Sequence, residues 1–318
     1  MSTEPSRRFP IRTAALAAAA VAVVVVLIVI ITGGGDLEVA DTIEVGDSPS
    51  NVAVGLDAVW VVNSGGGTLS KIDPGDKKIV GRPVSVGETP LFLALGAGSV
   101  WTTAGLGSRV VRVDPESMRI QKTLIAGLEP TGVAVTDDAV WVADSASDQL
   151  FRFDPRTNRR VGRPIKVGPG PQTVVVGAGA VWTANFRSNT VSRVDPVGNR
   201  VVETIRVGNG PGDIALGEGG LWVLNVSDRT VVKVDPAQNR VVTKPLPLGG
   251  TPSGIATGEG SVWVSNTGDG SVQRIDPDTA KFDGDPLNVG THPSGIAVGE
   301  GAVWVTVAED NKLVRIEP

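Results

Sequence analysis

The chain has no cysteine, no tyrosine and a single histidine, His292. Without cysteine there can be no disulfide, no thiolate metal site, no cysteine nucleophile and no lipoprotein-type acylation. One histidine leaves no pair for a two-histidine metal or acid–base site. No G-x-S-x-G elbow is present, so nucleophilic sets fail by inventory. Positive charge is in deficit, with 29 Lys and Arg against 34 Asp and Glu and a net charge of -5. A polyanion-binding surface, and with it a nucleic-acid partner, is not expected. What is abundant is glycine (41) and proline (22), without a collagen-like period and alongside many Val, Ile and Leu. That combination describes a folded chain with many turns.

The first 35 residues differ from the rest. A polar tail over 1–12 carries Arg7, Arg8 and Arg12, and Ala14 to Thr32 then runs without a charge. As a helix this run is about 28 Å long, roughly one hydrocarbon core. It is longer than a typical signal-peptide core and ends without an A-x-A site. The expectation is an uncleaved transmembrane signal-anchor helix over 13–32, followed by a linker over 33–36. The arginines lie before it and Asp36, Glu38 and Asp41 after it, which puts the N-terminus in the cytoplasm and the remainder outside. The N-terminal 35 residues hold three Arg and one Glu, so the remainder carries -7.

Residues 37–318 repeat. The seven tryptophans, Trp60, Trp101, Trp141, Trp182, Trp222, Trp263 and Trp304, are spaced 41, 40, 41, 40, 41 and 41 residues apart. Thirteen residues after each stands an acid followed by proline, from Asp73 to Glu317. Eleven residues before each stands a proline, from Pro49 to Pro293. Two residues before each acid stands a base, from Lys71 to Arg315. A period near 40 signals a repeat architecture. Each unit reads as four short strands: in the sixth, SGIATG, SVWVS, SVQRID and DGDPLNVG, with turn residues between them. The reading is an all-β, seven-bladed β-propeller, with strands a to d running from the axis outward. The segment 37–46 resembles a strand d with no blade of its own. It is expected to pair with the last strand c near 312–316 and close the ring, giving a monomeric propeller. Each Trp is expected to fill an interface between blades, and each Asp to bond its own turn.

The stretch VWVSNTGDGSVQRIDPDT…NVGTHPSGIAVGEGAVWV resembles the YVTN/NHL-type seven-bladed propeller repeat, and the likeness recurs throughout 37–318. Asn63, Asn185, Asn225 and Asn266, three residues after Trp, match that motif's Asn; Asp144, Ala104 and Val307 depart from it. The repeats are also distantly similar to those of the virginiamycin B lyase family. That resemblance implies streptogramin linearisation by histidines, a glutamate and a divalent metal in the central channel. His292 alone does not reproduce that set, so no catalytic residue, metal or other cofactor is carried over.

Function is expected where one blade departs from the others, on the loops of one face. The d–a and b–c loops share a face, here called the top. In the d–a loops Glu129 and His292 stand out before the repeat proline, and Phe92 and Asp213 two residues after it. In the b–c loops the departures are Phe186, Arg187, Arg229, Glu309 and Asp310. The expectation is a non-catalytic module, held to the cell membrane by its N-terminal helix, that binds a protein, peptide or glycan through this face. The alternative is a streptogramin-lyase-like or other small-molecule lyase or lactonase acting in the channel. A meeting of His292, Asp213 and Glu309 would favour the alternative.

Overall fold

The computed structural model describes residues 37–318, where the chain is β throughout apart from one 3-10 turn at Gly105–Gly107. The expected tail 1–12, membrane helix 13–32 and linker 33–36 lie outside the described residues. Among the described residues no helix is long and apolar enough to cross a membrane.

Seven antiparallel sheets follow one another in the order a-b-c-d. Strand a of each blade (Pro49–Gly55 in blade 1, Pro293–Gly299 in blade 7) packs against strand a of the next, and blade 7 returns to blade 1. The ring is closed as the sequence predicts. Glu38–Glu44 forms the outermost strand of blade 7 and pairs antiparallel with Lys312–Glu317, with Ile43 opposite Leu313 and Asp41 opposite Arg315. Ile43 is buried there, so closure is a packed contact as well as a hydrogen-bond ladder.

One expectation needs correction. The fourth strand is a single piece in blades 2, 4 and 7 (Ile120–Ile125, Arg200–Arg206, Glu38–Glu44). In blades 1, 3, 5 and 6 it is broken into two two-residue pieces that both pair with strand c. DGDPLNVG in blade 6, for example, contributes only Leu287–Asn288, after a separate Lys281–Phe282. The broken blades carry Pro83, Pro164, Pro245 and Pro286 in this stretch. Proline cannot donate to a ladder and is confined to edges and breaks. These four blades also span the 41-residue Trp spacings, and blades 2 and 4 the 40-residue ones. The extra residue therefore belongs to the break.

Every Trp sits mid-strand in b and is fully buried. In five blades its indole N–H donates to the carbonyl of the glycine five residues earlier, at 3.0–3.2 Å. The base of the repeat lies directly across the ladder, as Lys71 does from Trp60. Its cation stacks over that indole, from 4.9 Å in blade 3 to 6.0 Å in blade 7. Four of these side chains then reach the c–d turn of the next blade. Lys71, Arg112, Arg152 and Lys233 donate to the carbonyls of Pro115, Pro155, Pro196 and Pro277. The repeated base is thus an inter-blade staple laid over a tryptophan.

The repeated Asp accepts backbone N–H bonds from its own turn, as Asp154 does from Arg156 and Thr157. Such bonds favour the ionised form, and the Asp114, Asp154, Asp195, Asp235 and Asp276 carboxyls are held below the usual value, chiefly for this reason.

Candidate functional site at the channel mouth

The top face is a knitted surface. In each blade a b–c loop N–H donates to the carbonyl of the residue before the repeat proline, from Ser64 to Ser48 in blade 1 through Ala308 to His292 in blade 7. The seventh residue after each Trp is left-handed (φ near +60°) in every blade, from Gly67 to Asn311. Asp148, Asn189 and Asn311 use that position to accept the N–H of Gly170, Gly210 and Ser48 in the following loop. This explains the enrichment in Asn and Asp, which tolerate the left-handed region.

Most of the loop candidates are engaged in this knitting. The Glu129 carboxylate accepts the Ser145 hydroxyl at 2.8 Å, and its backbone N–H bonds Asp144. Arg187 donates to the Ser145 carbonyl and to Asp148, both at 2.7 Å, and so spans blades 3 and 4. The neighbouring Phe186 lies against Gly210, where an added Cβ would come within 3.0 Å of its ring. Asp310 accepts the N–H of Thr291. Arg229 is exposed, in the left-handed conformation. His292 is left-handed too, and its Nδ1 lies 2.5 Å from Glu309 Oε1, with both side chains about half exposed.

The remaining two candidates line the channel. Two connected cavities, of about 190 Å³ at the mouth and about 320 Å³ below it, share Asn51, Phe92, Asp213 and Ile296. The position two residues after the repeat proline decides their shape. At Gly295 an added Cβ would sit 2.6 Å from Cα of Asn51 in the next blade, and at Gly254 2.7 Å from the Ser294 carbonyl. Longer side chains fit by reaching to the next strand: Asn51 accepts the N–H of Leu93, and Asp213 that of Ile255 at 3.0 Å, while also accepting the N–H of Ile214 on its own strand at 2.9 Å. Burial is the dominant influence on Asp213 and pushes its carboxyl up to about 7, against the opposing pull of those two N–H groups. Asn51 belongs to this site and its role was not foreseen; the same alignment column that singled out Phe92 and Asp213 contained it. A second concavity lies over blades 1 and 2, where Gly65, Gly66 and Gly67 leave the rim without side chains.

His292, Asp213 and Glu309 do not come together: only His292 and Glu309 touch. Among the described residues no group of three or more His, Cys, Asp or Glu side chains is placed to hold a metal ion. The donors present do not fit the divalent metal that the lyase resemblance implies.

A closed seven-bladed propeller with a narrow, partly polar channel mouth defines the class of protein. The virginiamycin B lyase family model matches residues 118–318, more than half of the chain, and the chain belongs to that family. Among solved structures it is similar to a streptogramin B lyase (16% identity, 88% of this chain and 97% of that one, TM-score 0.77). It is similar also to a catalytically inactive histidine-to-alanine variant of virginiamycin B lyase from Staphylococcus aureus with quinupristin (17%, 89% and 100%, 0.77). A third is the hydrazine synthase of Kuenenia stuttgartiensis (17%, 85% and 96%, 0.72). At these identities the likeness is one of fold. No curated protein sequence matches the chain.

Proposed function

We propose that the chain is a membrane-anchored, extracytoplasmic binding module that engages a protein, peptide or glycan through its top face, with the channel mouth at the centre of the contact. The observation that carries this reading is the broken symmetry of the mouth. Gly132, Gly254 and Gly295 hold three of the seven ring positions and leave no room for a Cβ, whereas Asn51, Phe92, Thr173 and Asp213 carry side chains, and Asn51, Phe92 and Asp213 line the mouth. A concave site with one aromatic and a few convergent polar groups is the usual form of a ligand seat. The apolar run before residue 33 and the arginines ahead of it support the anchoring. The test is capture of partners by the full-length chain and by Phe92→Ala. The reading requires a partner retained by the wild type and lost from the variant; equal retention by both overturns it.

The second reading is a lyase. Family membership favours it, as does the 2.5 Å contact between His292 and Glu309, an acid–base pair on the same face. The Staphylococcus aureus neighbour is inactivated by loss of a histidine, and His292 is the one histidine that could stand in such a role here. Turnover of quinupristin that disappears in His292→Ala would establish this alternative.

A further inference from the structure

We propose that the channel mouth binds a primary ammonium group on an aliphatic stem, held against the Asp213 carboxylate. This rests on the top-face binding reading and gives its ligand a chemistry. Asp213 is the one ionisable side chain lining either channel cavity, from any of the seven strands. Among the described residues it forms no salt bridge; its two oxygens each accept one neutral backbone N–H. A carboxylate has about four lone-pair sites, so acceptor capacity remains and the charge has no counter-charge. Withdrawing such a charge even partly from water is costly unless a cation joins it; Asp213 is half-buried in the cavity wall, and this desolvation is what raises its proton affinity.

The walls select the kind of cation. Below Asp213 the seven blades supply aliphatic side chains, from Val52 to Ile296, and the Phe92 ring stands at the mouth. Calcium takes six to eight oxygen ligands and magnesium a near-octahedral set; here one carboxylate stands beside Asn51 and the Ser50, Ser253 and Ser294 hydroxyls, which donate to the carbonyls of Pro90, Pro293 and Pro49, and among the described residues no second acid or histidine joins it to make a metal set. An alkylammonium fits both parts: its charge meets Asp213, its stem meets the aliphatic ring, and an aromatic face attracts the cation. The mouth cavity of about 190 Å³ suits a short stem. Such a group could come from a free small amine or from a lysine side chain of a partner.

The test uses the full-length chain with n-butylamine and 1-butanol as probes, followed by calorimetry or NMR titration. At pH 8 butylamine is expected to bind roughly tenfold more tightly than butanol, the difference associated with ionising one partner of a hydrogen bond. Asp213→Asn should bind both probes alike. The variant keeps an oxygen for the Ile255 N–H, as Asn51 does for Leu93. A second readout needs no variant: the alkylammonium stays charged well above neutrality, so amine affinity in the wild type should fall as pH drops below 7 and Asp213 takes up a proton. A blocked Gly-Lys-Gly peptide separates the sources: binding supports a lysine of a partner, and butylamine binding without peptide binding supports a small amine. Equal affinity for butylamine and butanol, a preference that survives in Asp213→Asn, or an amine affinity indifferent to pH overturns the proposal. Partner capture that depends on Phe92 but shows no amine preference would leave the binding reading standing and this one refuted.

Discussion

At the scale of single residues, Asp213 is the group whose behaviour departs most from its surroundings. The Asp114, Asp154, Asp195, Asp235 and Asp276 carboxyls are held below their usual value by their turns, whereas Asp213 is pushed from 3.8 to about 7 by desolvation. The folded chain therefore holds this proton more tightly than the unfolded chain does. The resulting stability is fully present below the unfolded value near 3.8 and is lost as pH rises to about 7. Above that, the wild type bears the cost of a half-buried charge with no counter-charge. Asp213→Asn is accordingly expected to melt at a higher temperature than the wild type at pH 8, with the gap shrinking toward pH 4, as thermal denaturation across that range would record. A gap that widens on acidification would contradict the assignment. Position 213 was readable in the sequence because it is the one acid among the residues two after the repeat prolines, Asn51, Phe92, Gly132, Thr173, Asp213, Gly254 and Gly295. The reason for its protonation was not readable, since the N–H groups it accepts come from its own strand and from a blade 42 residues away.

At the scale of the repeated element, a tryptophan and a base form one unit. The period exposed both, the base two residues before each repeat acid. That the cation would lie over the indole follows from the cross-strand register, which places Trp182 opposite Arg193 and Trp60 opposite Lys71. Trp182→Ala should cost about 3–5 kcal/mol, the range for truncating a buried aromatic, measured by denaturant unfolding. Arg193→Met keeps much of the stem but loses the stack on Trp182 and the bond to Asn239. It should cost about 1–2 kcal/mol, the combined size of one cation–π contact and one hydrogen bond. The interrupted outer strands were legible only in part. The prolines and the 41-residue spacings were visible, but a single strand was the simpler reading until the pairing of both halves with strand c was seen.

At the scale of the whole molecule, the ring is held shut by a strand from the opposite end of the chain. Ile43→Asp buries a charge at that seam, beside Leu313 and Trp304, and should lower the melting temperature more than the same kind of change at exposed Val202 on the rim. The absence of cysteine makes topology testable. Ser147→Cys in intact cells should react with a membrane-impermeant thiol reagent if the propeller lies outside; protection until the cells are opened would refute that location. Sequence alone sufficed for the seven-bladed ring over 37–318 because seven repetitions of one pattern leave little freedom. It was less informative about the site: Glu129, Arg187 and Asp310 were just as irregular as Asp213, yet hydrogen bonds within and between loops engage them, while the equally irregular Phe186 touches Gly210 and stays exposed.

The central functional claim is that this member of a lyase family binds without turning its ligand over. It is tested most directly by incubating the full-length chain with quinupristin and divalent metal and following ring opening by mass spectrometry. The account predicts intact quinupristin. Accumulation of the linear product, abolished by His292→Ala, would contradict it.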